Sequence, residues 1–175
     1  MLASSDEREK MITKTETEFI EEIDRLNSAE KWTEALRVAE AAILAYPGSA
    51  DLQCAFGDLI QLSDDETYKA ADALSAYQRA AELDPTFAEA YEEIGYYWDV
   101  CGDDFERAEA AFRRAIELGA GADSYAGLAR VLAERGKDSP AILSFLDQCP
   151  YAAAPEVRKI RAEIENGIWA PFHQY

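Results

Sequence analysis

The side chains that could do chemistry in this sequence are few: one histidine, three scattered cysteines and several short runs of carboxylates. The histidine, His173, is alone, and a single imidazole builds neither a His-based triad nor a multi-His metal site. Cys54, Cys101 and Cys149 lie far apart without metal-ligand or redox spacing, so they read as reduced, mostly buried thiols of a cytoplasmic protein. Glu92-Glu93 has the groups for general acid–base work, but such a pair on a helix is far more often surface charge. Asp64-Asp65-Glu66 and Asp103-Asp104 lack the alternating oxygen ligands and central glycine of a calcium loop. Acids at helix starts are explained by the positive end of the helix dipole. No glycine-rich phosphate loop is present. The sequence thus predicts no catalytic residue, no metal, no cofactor and no enzymatic activity.

What remains is charge and aromatic surface. The 175 residues carry 35 acids against 17 bases, a formal charge of −18. Such a surface repels nucleic-acid backbones and anionic membranes and attracts basic partners. From Asp51 to Glu106 there are 15 acids and two bases, a net −13. The same charge also serves solubility. Residues 1–10 lack the apolar core of a secretory signal, and no run approaches the roughly 20 apolar residues of a membrane span. The expectation is a cytoplasmic chain that binds neither nucleic acid nor membrane.

The elements that must position these groups are helices. Alanine, glutamate and leucine abound, and no alternating β-branched run marks a strand. Four segments share one layout: a helix with a small residue near its middle, a polar turn, then a helix with an early alanine. Gly57 is followed by Ala73, Tyr77 and Ala80; Gly95 by Ala108, Phe112 and Ala115; Ala129 by Ala141 and Phe145. In the first segment Ala35 and Ala42 match, with bulky Ile23 at the small position. The landmark alanines are 38, 35 and 33 residues apart, the excess falling at Ser63-Asp64-Asp65-Glu66. The small residues let paired helices approach to roughly 8–10 Å. Ser49, Asp138 before Pro140, and the pairs Thr86/Glu89 and Ser63/Glu66 read as helix caps. Gly102, Gly136 and Gly167 read as helix ends.

Tyr91…Gly95…Trp98…Phe105…Ala108…Phe112…Ala115 resembles the helix-pair pattern of the tetratricopeptide repeat family, as does Phe56-Gly57…Ala73…Tyr77…Ala80…Pro85. Trp32…Ala35…Ala42…Tyr46-Pro47 and Tyr125…Ala129…Gly136…Ala141…Phe145 fit in part, Gln148 departing from the usual alanine. The resemblance covers about residues 16–150. It implies an all-α, right-handed superhelical solenoid of four helix–turn–helix units over 16–49, 50–87, 88–121 and 122–150. A charged extension, 1–15, precedes them. A capping helix, 151–167, and an aromatic tail, 168–175, follow. The small positions Gly57, Ala73, Gly95, Ala108, Ala129 and Ala141 are its structural landmarks.

In this family the first helix of each pair lines a concave groove that holds the partner. Carried across, the groove positions are Glu21, Asp24, Asp51, Asp58, Glu89, Glu92, Glu93, Tyr96, Asp99, Asp123 and Arg130. A family variant that clamps an acidic C-terminal peptide uses lysines, asparagines and an arginine; here Ile20, Asp24, Ala55, Glu89 and Glu93 stand instead, and they cannot grip a carboxylate. Trp98 is expected in the core. The resemblance therefore implies an adaptor or scaffold binding a protein or peptide with a basic segment, its cation or apolar anchor packing on Tyr96. A dedicated chaperone or antagonist of one client, resembling the type III secretion translocator chaperones in size and layout, is the alternative. A monomer or weak homodimer is expected. The tail either caps the last helix or docks in a groove and competes with the partner.

Overall fold

The computed structural model describes residues 14–169, and the described residues form nine α-helices and no strand. His173 and the rest of residues 170–175, like residues 1–13, lie outside them. The helices are α1 (Glu16–Ser28), α2 (Trp32–Ala45), α3 (Ala50–Leu62), α4 (Ala70–Leu83), α5 (Ala88–Val100), α6 (Phe105–Glu117), α7 (Ala122–Glu134), α8 (Ser139–Gln148) and α9 (Pro155–Glu165). They fall into two compact units, one ending at Pro85 and the other beginning at Thr86.

In the first unit α1 packs on α2, α2 on α3 and α3 on α4. The chain enters α1 through a capping box: Glu18 takes the Thr15 backbone N–H at 2.7 Å, and the Thr15 hydroxyl takes that of Glu18 at 3.3 Å. The apolar stripe Phe19, Ile23 and Leu26 is buried, as are Ala35, Leu36, Ala39 and Ala42 of α2. Between α3 and α4 the small residue decides the spacing. A Cβ on Gly57 would lie 2.5 Å from the Tyr77 ring, itself fully buried. The connection after α3 is longer than the sequence suggests. Ser63 closes α3 as its C-cap, and α4 starts only at Ala70, where Asp72 accepts the Lys69 backbone N–H at 2.8 Å. The expected Ser63/Glu66 cap is therefore displaced to Lys69/Asp72, because the polar run 63–69 stays in turns.

The second unit stacks α5, α6, α7, α8 and α9 around one core, including Ala108, Phe112, Leu128, Val131, Leu146, Val157 and Ile160. Phe112 is its wedge. A Cβ on Gly95 of α5 would come within 2.8 Å of this ring, and one on Gly127 of α7 within 2.5 Å. One aromatic thus fills the space left by two glycines on successive first helices. Trp98 packs against the same core with the Arg107 guanidinium 4.4 Å above its ring. Phe87, rather than Thr86, is the N-cap residue of α5.

The fourth pair departs from the expected register. Ala35, Ala73 and Ala108 are each the fourth residue of their helix, and all are buried. The fourth residue of α8 is Ile142, buried together with Leu146, whereas Ala141 is exposed. Asp138 accepts the Ala141 N–H at 3.2 Å and Pro140 sits in the first turn, which fixes the start of α8 one residue later than an alignment on Ala141 implies. With Ile142 in place of an alanine at this position, α7 and α8 are more loosely packed than α5 and α6.

Candidate functional site

Counting from each helix start gives the first helices a common register. The second residue is Asp51 in α3, Glu89 in α5, Asp123 in α7 and Glu156 in α9. All four are exposed carboxylates in a first turn. The ninth residue is Asp24 in α1, Asp58 in α3, Tyr96 in α5, Arg130 in α7 and Glu163 in α9.

On the first unit, Glu21 and Asp24 project from α1 and Asp51 from α3, all exposed. Ile20 and Ala55 are half-buried. Asp58 is also half-buried, and it accepts the Tyr77 hydroxyl at 2.9 Å. Burial pushes its carboxyl up, and the Tyr77 bond only partly offsets this. Asp58 is tied to the ring that spaces α3 from α4, so it serves the core as well as the face.

On the second unit α7 packs between α5 and α9. A cleft of about 380 Å³ opens there, floored by Ala126 and Gly127 and walled by Tyr96, Arg130, Lys159 and Trp169. Glu92 accepts the hydroxyl of fully buried Ser124. Burial pushes its carboxyl up, and the Asp123 and Glu89 carboxylates push the same way. Tyr96 lays its ring edge-on against Phe112, centroids 5.0 Å apart at 84°, and donates its hydroxyl to the Asp123 carbonyl at 3.2 Å. Its phenol is pushed above the usual tyrosine range by burial first, then by Asp123 and Glu92. Glu93 is half-buried beside them, and Glu89 is exposed.

Two predicted face residues are committed inward. The Asp99 side chain is 3% exposed and ion-paired with the half-buried Arg130. Burial still pushes the Asp99 carboxyl up, Arg130 opposing, and the neighbouring Glu134 carboxyl is pushed up by burial and by Asp99. Asp99 is therefore a core ion pair and not a residue of the open face. The reason is its place one turn beyond Tyr96, within reach of Arg130 on α7. Arg130 lies 6.0 Å from the Tyr96 centroid and 5.7 Å from that of Trp169. Its Nε is buried without a hydrogen-bond partner.

Sequence reasoning missed Glu156, Lys159 and Glu163, taking α9 for a capping helix, whereas Trp169 belongs to the tail expected either to cap that helix or to dock in a groove. The available signal was the register itself, which continues from α7 into α9. Gly127 was missed because its partner, Phe112, belongs to the preceding pair. Among the described residues no helix is long and apolar enough to cross a membrane. Of the three cysteines, Cys54 and Cys149 are buried and Cys101 is exposed.

No family model matches the chain, and no curated protein matches it in sequence. Solved structures do. A crystal structure of the MamA protein is similar over 87% of each chain, at 20% identity and TM-score 0.64. TTC0263, a thermophilic TPR protein from Thermus thermophilus, is similar over 89% of this chain and 82% of its own, at 15% identity and TM-score 0.68. A second MamA structure covers 88% of this chain and 78% of its own, at 16% identity and TM-score 0.60.

Proposed function

We infer that this chain, an all-α solenoid of the tetratricopeptide type, is an interaction scaffold that holds a basic segment of another protein on its acidic first-helix faces. The observation that carries the reading is the register of Glu89, Asp123 and Glu156 on the second unit, three exposed carboxylates repeated at the same helical position, a position that Asp51 holds on the first unit. The helix dipole accounts for one acid in a first turn; it does not account for the same face also carrying Glu92 and the half-buried Tyr96. Carboxylates that raise one another's proton affinity, as Asp123 and Glu89 do for Glu92, are a field that a cation relieves. Lysine or arginine side chains meeting this field would add on-rate and specificity more than raw affinity. Binding in the cytoplasm, a monomeric or weakly dimeric state, and the absence of catalysis belong to the same reading.

The test is affinity capture from native lysate at low and high salt, repeated with the fourfold variant Asp51→Asn, Glu89→Gln, Asp123→Asn, Glu156→Gln. A basic protein recovered at low salt and lost with the variant is the expected result. Equal recovery by the variant would place the site away from these carboxylates.

A further inference from the structure

We propose that Trp169 is a strap over the cleft of the second unit, closed in the free chain and displaced when a cationic segment binds; this rests on the reading just given. The strap is placed by a rigid turn. Gly167 adopts φ +70°, its N–H reaches the Ile164 carbonyl at 3.0 Å, and the Ile168 N–H reaches that of Glu163 at 3.0 Å. This double bond pattern closes a helix on a left-handed residue and reverses the chain. Ile168 is left 61% exposed, and Trp169 is swung back over the face.

The indole then takes up the carboxylate that a partner's cation would use and stacks on a neighbouring guanidinium. Its N–H donates to the Glu163 carboxylate at 2.8 Å, and its ring covers the Arg130 guanidinium. Glu163 and Arg130 are the ninth residues of α9 and α7, the register that Tyr96 holds in α5. Trp169 is also the shared wall of two clefts, the one of about 380 Å³ beside Tyr96 and Lys159 and another of about 210 Å³ beside Gly136 and Ile164. Moving this one side chain removes a wall from each and frees the Glu163 carboxylate. Its hold is slight by comparison with α9, whose Val157, Ile160 and Ile164 are buried. One hydrogen bond, one stack and the partial core packing of a half-buried ring can be exchanged for a lysine or arginine of a partner, whereas the helix stays.

The chain contains three tryptophans, so 5-fluorotryptophan labelling of the full chain gives three ¹⁹F resonances, and Trp169→Phe assigns the third. The probe is a decalysine peptide. The expected result is a Trp169 resonance shielded from solvent in the free chain that moves to the free-amino-acid position as decalysine is added, with Trp98 unmoved. Trp169→Ala should bind decalysine about fivefold to tenfold more tightly, because no closed state has to be opened first. A Trp169 resonance already at the free position, or one that stays put at saturating decalysine, overturns the strap alone. Absence of decalysine binding to both wild type and Trp169→Ala overturns the acidic-face reading and the strap with it.

Discussion

Glu30 shows what a single residue can cost. It follows α1 at φ +56°, and its N–H and that of Lys31 close the helix on the Asn27 and Leu26 carbonyls, both at 2.9 Å. That seat favours glycine, since a β-carbon there crowds the following carbonyl. Glu30→Gly should therefore raise stability by up to about 1 kcal/mol, read from the midpoint of urea unfolding at unchanged slope. A lower midpoint would show that the added freedom of the unfolded chain outweighs the relief. Position-by-position reading finds residues such as Tyr77 and Phe112, whose size and spacing announce burial. It fails at Asp99, because an acid one turn past Tyr96 looks like surface. Its partner, Arg130, stands 31 residues away in another helix, and only packing reveals the pair.

At the scale of the helices, the pairing is set by glycine against aromatic. Gly95→Ala forces a carbon to within 2.8 Å of the Phe112 ring, whose tip already lies within 2.5 Å of where a Cβ on Gly127 would be. We expect a loss of about 1–3 kcal/mol from this overpacking. Gly48→Ala, where nothing lies within 4 Å, is the control and should be neutral or slightly stabilising. Chemical denaturation of both variants decides it, equal stabilities contradicting the wedge. Element identity was legible in the sequence wherever small and aromatic residues repeat in register, as in α3 to α6. It was less so in α8, where Asp138 and Pro140 set the start and brought Ile142, not Ala141, to the core. The loop 63–69 hid its true cap because several acids there could each begin a helix. The exposed first-turn carboxylate was legible on α3, α5 and α7. It was invisible on α9, where the repeat pattern of small residues lapses although the helix keeps its place.

For the whole molecule, charge and burial act together. Asp58, Glu92, Asp99 and Glu134 all have carboxyls pushed up, with burial the first cause. The folded chain then binds protons more tightly than the unfolded one. This contribution is complete below the ordinary carboxylate pKa of about 4 and is lost as pH rises through the raised folded values. Glu18 and Asp65 are shifted the other way by bonds from Thr15 and Thr67, and they weaken the fold only below that ordinary range. Thermal stability should accordingly rise as pH falls from 7 toward about 5, helped by relief of self-repulsion among 35 acids. Asp58→Asn, which keeps an acceptor for the Tyr77 hydroxyl, should flatten the slope; melting curves at both pH values with an unaltered slope would remove Asp58 from the account. The Phe112 wedge has a consequence of another kind. An array of helix pairs ordinarily frays from its open end, each pair leaving in turn at little expense to the rest. A ring gripped at once by α5 and α7 while rooted in α6 denies that route, since none of the three can depart without emptying the seat of the others. These three helices are thereby made to open in a single event, and a repeat protein acquires over this stretch the all-or-none habit of a globular one.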